Sequence, residues 1–240
     1  MTNKIYIHET INVTVAKRRA YLDHFTDVWA PRSRELNELH CFGVWGTNGS
    51  TGAWPEAILM WELDGYEAFS RMMSAEFAHL TDDHAAIGDH YDMYWASAPD
   101  GVVDKDGFDR VLAPTPATPS LDEAIAAGIK GAIYYHQIVT VRPGAVDDYL
   151  ERHDAEWRPI AENHGLVFVG SYRTMLRNDS EAVVLWALPD HALFERVDTT
   201  LRTDPKAREF VRSTSDLGVD WVGKVLVGAP ANPLDTGRRL

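Results

Sequence analysis

Ten histidines occur in this chain of 240 residues, and two of them, His8 and His136, each stand two positions after a tyrosine, Tyr6 and Tyr134. An imidazole exchanges protons near neutral pH and a phenol donates to a developing oxyanion, so a His beside a Tyr is a candidate acid/base unit. Residues two apart on a β-strand share a face, which brings each tyrosine to its histidine. A second concentration lies in FSRMMSAEFAHLTDDHAAIGDHYDMYWASAPDG, residues 69–101, with His79, His84, His90, Met72, Met73, Tyr91, Tyr94 and Trp95. Methionine and aromatic side chains make an apolar, adaptable wall for a small ligand. This reading expects His8, His79 and His84 to carry proton transfer with Tyr6 as hydrogen-bond donor, and Trp61, Met73, Tyr94 and Trp95 to contact the substrate. The competing reading is structural: His8 and His136 as symmetric packing partners, and the Met/aromatic stripe as core.

Other chemistries find less support. His79 and Asp83 share a helix face, but His84 points about 100° further round and His90 is roughly 16 Å from His79 along a continuous helix. No HExxH motif is present, so no metal ligands are assigned. Neither GxGxxG, GxxxxGK[ST] nor GxSxG occurs, which argues against dinucleotide, P-loop and serine-hydrolase chemistry. No cofactor is expected, with haem and a divalent metal left open. His153 falls on the buried stripe of a helix and reads as a hydrogen-bonded core histidine, and His164 as a complement to a helix C-terminus. Cys41, the one cysteine, opens the apolar run HCFGVW and reads as structural.

The elements that must position these residues repeat along the chain. Residues 5–32 align with 133–160 without a gap, identical at eight of 28 positions: Ile5/Ile133, Tyr6/Tyr134, His8/His136, Val13/Val141, Tyr21/Tyr149, Leu22/Leu150, Trp29/Trp157 and Pro31/Pro159. The match resumes at AILMWEL (57–63) and AVVLWAL (182–188), after a three-residue loop difference. Each copy reads as a β-branched and aromatic strand, an amphipathic helix interrupted at Pro31 or Pro159, two strands joined by a turn (about 40–47 and 56–63; 166–176 and 181–188), a helix from near Tyr66 or His191, and a last short strand at 110–113 or 223–228. The order βαββαβ, twice, specifies the ferredoxin-like plan: a four-stranded antiparallel sheet with helices on one face. Two bare sheet faces in one chain are covered if the sheets pack together and close a barrel within the monomer. The expected fold is therefore α+β, with repeat 1 at residues 1–113 holding the working pocket, a Pro-rich linker and short helix at 114–130, and repeat 2 at 131–240.

The second copy, IYYHQIVTVRPGAVDDYLERHDAEWRPIAENHG, resembles the NIPSNAP-type members of the dimeric α+β barrel superfamily. The likeness rests on the Arg142-Pro143-Gly144 turn, the Tyr149-Leu150 pair, the helix end PIAENHG from Pro159 to Gly165, the strand VVLWAL and the later DPKAREF. It covers about 131–228 directly and about 4–113 through the repeat. The Glu and Arg that the family places on its first strand are absent: Tyr135 and Gln137 stand there in copy two, Ile7 and Glu9 in copy one. The superfamily implies cofactor-free monooxygenases, isomerases and lyases acting on aromatic molecules, haem-binding enzymes, or proteins without catalysis. The leading expectation is a cofactor-independent enzyme for a small apolar or aromatic molecule; a NIPSNAP-like binding or assembly protein and a haem-binding protein are the alternatives.

Charge narrows the partners. Lys+Arg 23 against Asp+Glu 36 gives a net charge of −13, which opposes binding to nucleic acid or an anionic membrane surface. Residues 1–113 hold 9 basic and 18 acidic side chains, and 131–240 hold 13 and 16; the acidity concentrates beside the extra histidines and favours a neutral or phenolic substrate over an anionic one. The N-terminus lacks a secretory pattern and no apolar run approaches the ~20 residues of a membrane span, so a cytoplasmic location is expected, with association into a homodimer left open.

Overall fold

The computed structural model describes residues 3–77, 101 and 103–240. In chain order the first repeat gives β1 (Ile5–Val13), α1 (Arg18–His24), α2 (Ala30–Asn37), β2 (His40–Thr47), β3 (Glu56–Leu63), α3 (Gly65–Phe77) and β4 (Val103–Pro114). The connection carries α4 (Leu121–Ala126). The second repeat gives β5 (Ile133–Thr140), α5 (Val146–Arg152), α6 (Arg158–Asn163), β6 (Val167–Thr174), β7 (Glu181–Leu188), α7 (Ala192–Leu201), α8 (Pro205–Ser213) and β8 (Asp220–Gly228), with α9 (Pro233–Thr236) after it. The strands close a barrel in the order β1-β3-β2-β8-β5-β7-β6-β4. This is the fold the repeat implied: two antiparallel sheets meeting edge to edge at β2–β8 and β4–β6. A four-stranded sheet alone would present two unpaired edges, and closure with the other copy removes both.

All neighbouring strands run antiparallel. Following them round from β1 makes β5 run in the same direction as β1, so the pseudo-twofold axis relating the repeats lies along the barrel axis. Side chains on the inner faces, including Tyr6, Phe42, Trp45, Met60, Tyr134, Tyr172 and Leu185, form one core within the barrel. Each repeat has a second core between its sheet's outer face and its helices, built around Phe25 and Trp61 in the first and Trp186 and Phe210 in the second.

The interruption expected at Pro31 and Pro159 appears as one π-helical turn, Phe25–Trp29 between α1 and α2 and His153–Trp157 between α5 and α6. The Ala30 and Arg158 N–H groups reach back five residues to the Phe25 and His153 carbonyls. Proline has no N–H to continue the ladder, so the helix restarts with proline in its first turn.

Two expectations are revised in extent. The closing strands are longer than 110–113 and 223–228 suggested, because β1 and β5 supply backbone partners beyond those bounds, to residues 107–109 and 220–222. The linker is built into the barrel. Ser120 caps α4 in a reciprocal arrangement with Glu123, Thr118 exchanges hydrogen bonds with the Ser171 backbone at 2.7 and 3.0 Å, and Leu121, Ala124, Ile129 and Leu234 join the interior core. No helix among the described residues is long and apolar enough to cross a membrane.

Candidate functional site

The Tyr/His pairs face the barrel interior. The Nε2 atoms of His8 and His136 lie 2.8 Å apart and their rings are stacked. Burial, reinforced by the charges of Arg110 and Lys224, pushes the His8 pKa down to about 3 and that of His136 well below its usual value. Both rings are therefore neutral near pH 7, one donating to the other. Arg110 and Lys224 are the neighbours of His8 and His136 on β4 and β8. Each crosses to a glutamate of the other repeat: Arg110 to Glu181 at 2.9 Å, Lys224 to Glu56 at 2.5 Å. The tyrosine hydroxyls are engaged as well. Tyr6 donates to Glu62 at 2.7 Å, and the same carboxylate accepts the Leu121 N–H at 2.7 Å; Tyr134 donates to Asp235. The His8–His136 contact and the two ion pairs link the repeats, whereas Tyr6 and Tyr134 are held by carboxylates of their own repeats, and both His8 and Tyr6 are fully buried.

An open cavity of about 850 Å³ lies in the second repeat, between the outer face of its sheet and the helices α5 to α8. Trp157, Leu166, Trp186, Leu188, Leu201 and Phe210 give it apolar walls, and Tyr135, Gln137, Tyr149 and Thr214 bring polar groups to it. Tyr135 is held between Phe194 and Trp221, at ring distances of 6.3 and 6.2 Å. Its hydroxyl lies over Gly223 on the adjacent strand, where a methyl group would come within 2.5 Å of it. Burial, then the Asp198 charge, raises the Tyr135 pKa. Burial, then Asp154 and Tyr135, raises that of Tyr149. Both phenols stay protonated at neutral pH, and the two hydroxyls are close enough that ionising one opposes ionising the other.

Behind this wall stands His153, with its ring 5.9 Å from Tyr149 and 5.8 Å from Trp186. Its Nδ1 bonds Asp154 at 2.9 Å, and Ser171 donates to the same carboxylate oxygen at 2.8 Å. Burial alone would raise the Asp154 pKa, but hydrogen bonds from His153, Thr115 and Ser171 outweigh it and hold the carboxyl below its usual range. An ionised Asp154 keeps the His153 proton on Nδ1 and leaves Nε2 as an acceptor, which has no hydrogen-bond partner among the described residues. Leaving such a group unpaired in a core costs about 1–3 kcal/mol. The other repeat shows that the fold does not require it. There the corresponding positions hold Phe25, Thr26 and Val44, and Phe25 packs on Trp61 at 5.1 Å as His153 packs on Trp186.

The candidate residues of the first repeat divide into two groups. Trp61 is buried in the outer core and its Nε1–H donates to Glu9 at 2.7 Å; Met73 is half-buried against that same core. His79, His84, Tyr94 and Trp95 lie outside the described residues, as do Asp83 and His90. The aromatic-walled cavity belongs to the second repeat, whereas the sequence directed attention to the first. Tyr135 and Gln137 were visible in the sequence as departures from the family's strand pattern, and His153 as the substitution of a core Phe25.

No group of three or more His, Cys, Asp or Glu side chains that could hold a metal occurs among the described residues. The cavity wall contains no histidine, and His153 behind it has Nδ1 occupied by Asp154 and is 1% exposed, so no histidine among the described residues is placed to ligate a haem in this cavity.

Residues 137–224, within the second repeat, match the NIPSNAP family model. A comparison with curated proteins finds no match. Among solved structures, the putative monooxygenase from Lactobacillus acidophilus NCFM aligns over 94% of this chain and 93% of its own, at 13% identity and a TM-score of 0.56. The putative monooxygenase from Fusobacterium nucleatum subsp. nucleatum ATCC 25586 aligns over 95% and 93%, at 11% identity and a TM-score of 0.59. An anthrone oxidase-like protein aligns over 94% and 91%, at 6% identity and a TM-score of 0.58. At these identities the shared property is the α+β barrel fold alone.

Proposed function

We propose that this α+β barrel, whose second repeat matches the NIPSNAP family model, is a cofactor-independent enzyme that binds a small aromatic molecule in the second-repeat cavity and acts on it by proton transfer. The observation that carries this reading is the convergence of two protonated phenols, Tyr135 and Tyr149, on an aromatic-walled cavity. Such donors stabilise negative charge forming on a phenol or enol oxygen, and more strongly in a cavity that excludes water. Behind Tyr149 stands His153, off the cavity wall and 1% exposed, whose unpartnered Nε2 would receive the released proton when a shift of the Tyr149 ring opens it to the cavity, as an imidazolium paired with Asp154. Returning that proton to a different carbon is isomerisation, and expelling a neighbouring group is a lyase reaction. The electron-rich oxyanion is also the form of a substrate that can itself supply electrons to O2, the monooxygenase alternative. All three reactions share this first step.

The test is binding and turnover across a panel of phenols and enolisable ketones, followed through quenching of the tryptophans that line the cavity. Tyr135→Phe and Tyr149→Phe should each weaken binding of a phenol roughly tenfold, the equivalent of about 1.4 kcal/mol, and depress turnover further. Unchanged binding and turnover in both variants would contradict the assignment, and binding that needs the tyrosines but is never followed by turnover favours a ligand-binding protein.

A further inference from the structure

The charged side chains on the cavity wall are Arg202, Arg208 and Arg212 against the single Asp198. In a chain of net charge −13, this is a local reversal of sign where the apolar cavity meets solvent. The arginines come from the end of α7 and successive turns of α8, whose Ala207 and Phe210 point into the core. Their arrangement is partly fixed: Arg202 pairs with Asp198 at 3.0 Å, and Arg208 gives its Nε–H to the Arg202 carbonyl at 2.8 Å. That bond holds the side chain across the turn between the helices while committing one of its five N–H donors. Beside them, Phe194 and Trp221 are 38% and 52% exposed, large aromatic surfaces turned partly to solvent at the same mouth.

Resting on the cavity reading above, we infer that the ligand is an amphipathic anion: an aromatic body seated against Trp186, Leu188 and Phe210, with a carboxylate or similarly charged group at the mouth beside Arg208 and Arg212. Guanidinium groups match planar anions through paired N–H donors, and Arg202 is the least free of the three because Asp198 already holds it. The whole-chain charge pointed the other way, toward a neutral ligand. At separations beyond about 8–10 Å, however, salt screens distant acidic groups, and the local arginines dominate what the mouth presents.

The experiment compares 2-naphthoate, 2-naphthol and 1-naphthylmethylammonium by tryptophan quenching, in the full chain and in an Arg208→Gln/Arg212→Gln variant. The expected result is naphthoate binding at least tenfold more tightly than naphthol, with the cation weakest. The double variant should remove the naphthoate advantage and leave naphthol binding unchanged, and the advantage should shrink as salt rises. Equal affinity for naphthoate and naphthol overturns the anion preference while leaving the cavity as an aromatic site. Equal losses for both compounds in the double variant make the arginines structural and overturn it too. Failure of all three compounds to bind overturns the cavity reading itself.

Discussion

His8 and His136, 128 residues apart in sequence, meet Nε2 to Nε2 at 2.8 Å inside the barrel. Each imidazole supplies the hydrogen-bond partner of the other, and Arg110–Glu181 and Lys224–Glu56 tie the same region across the two repeats. A barrel closed by two short seams is held at its centre by this pair, and the pair cannot accept a proton without placing a charge in the core.

Stability should therefore fall in acid. In the unfolded chain both histidines protonate near their ordinary value of 6.5, whereas in the folded chain His8 resists until about pH 3 and His136 is also held well below 6.5. The unfolded state binds more protons through that window, so the contribution is fully present above about pH 6.5 and is lost progressively below it, at about 1.4 kcal/mol per pH unit for each titrating ring. Urea unfolding at pH 7.5 and 4.5 checks this against a His8→Gln/His136→Gln variant, which still carries the other titrating groups such as Asp109 and His40. The native chain should lose more stability on acidification than the variant. Equal losses would mean that the pair does not couple folding to pH.

His153→Phe places in repeat 2 the residue that repeat 1 carries at the same position, Phe25. It removes an unpaired buried acceptor and also one of the donors to Asp154, two effects of opposite sign, so stability should stay within about 1 kcal/mol of the native chain. If Nε2 accepts the substrate proton, turnover should drop at least 10²-fold. Loss of stability with unchanged turnover would identify His153 as a packing residue.

Gly223→Ala tests the cradle beneath Tyr135. The added methyl would lie 2.5 Å from the tyrosine hydroxyl and 2.7 Å from a ring carbon, so the ring must shift away from Gly223. A cost of about 1–3 kcal/mol is expected, together with weakened binding of phenols. Calorimetric unfolding and the same quenching titration check it; unaltered phenol affinity would show that the Tyr135 position does not matter to the ligand.

The barrel was legible because its information is local and doubled. Two tryptophans and two prolines recurring in register marked the repeat, and the order of strand and helix patterns fixed how each half folds. Tyr6 and His8 were correctly placed on one strand face, but periodicity does not say whether a face opens on a cavity or on the other copy's identical face. That difference depends on the pairing of β4 and β8, which brings Arg110 and Lys224 beside the histidines. The cavity was harder to see because its walls come from elements far apart in sequence, Tyr135 on β5, Tyr149 on α5, Trp186 on β7 and Phe210 on α8. Histidine density drew attention to residues 79–90, which lie outside the described residues, while the contrast the structure describes is one buried position, His153 against Phe25.

The central claim is that ligand binds in the second repeat and not in the first, and the eight tryptophans are distributed so as to report it. In protein labelled with 5-fluorotryptophan and assigned by single Trp→Phe changes, titration with 2-naphthoate followed by fluorine NMR should move the resonances of Trp157, Trp186 and Trp221, which line the cavity, and leave Trp29, Trp61 and Trp95 in place. Shifts confined to Trp61 and Trp95 would put the site in the first repeat and contradict the account.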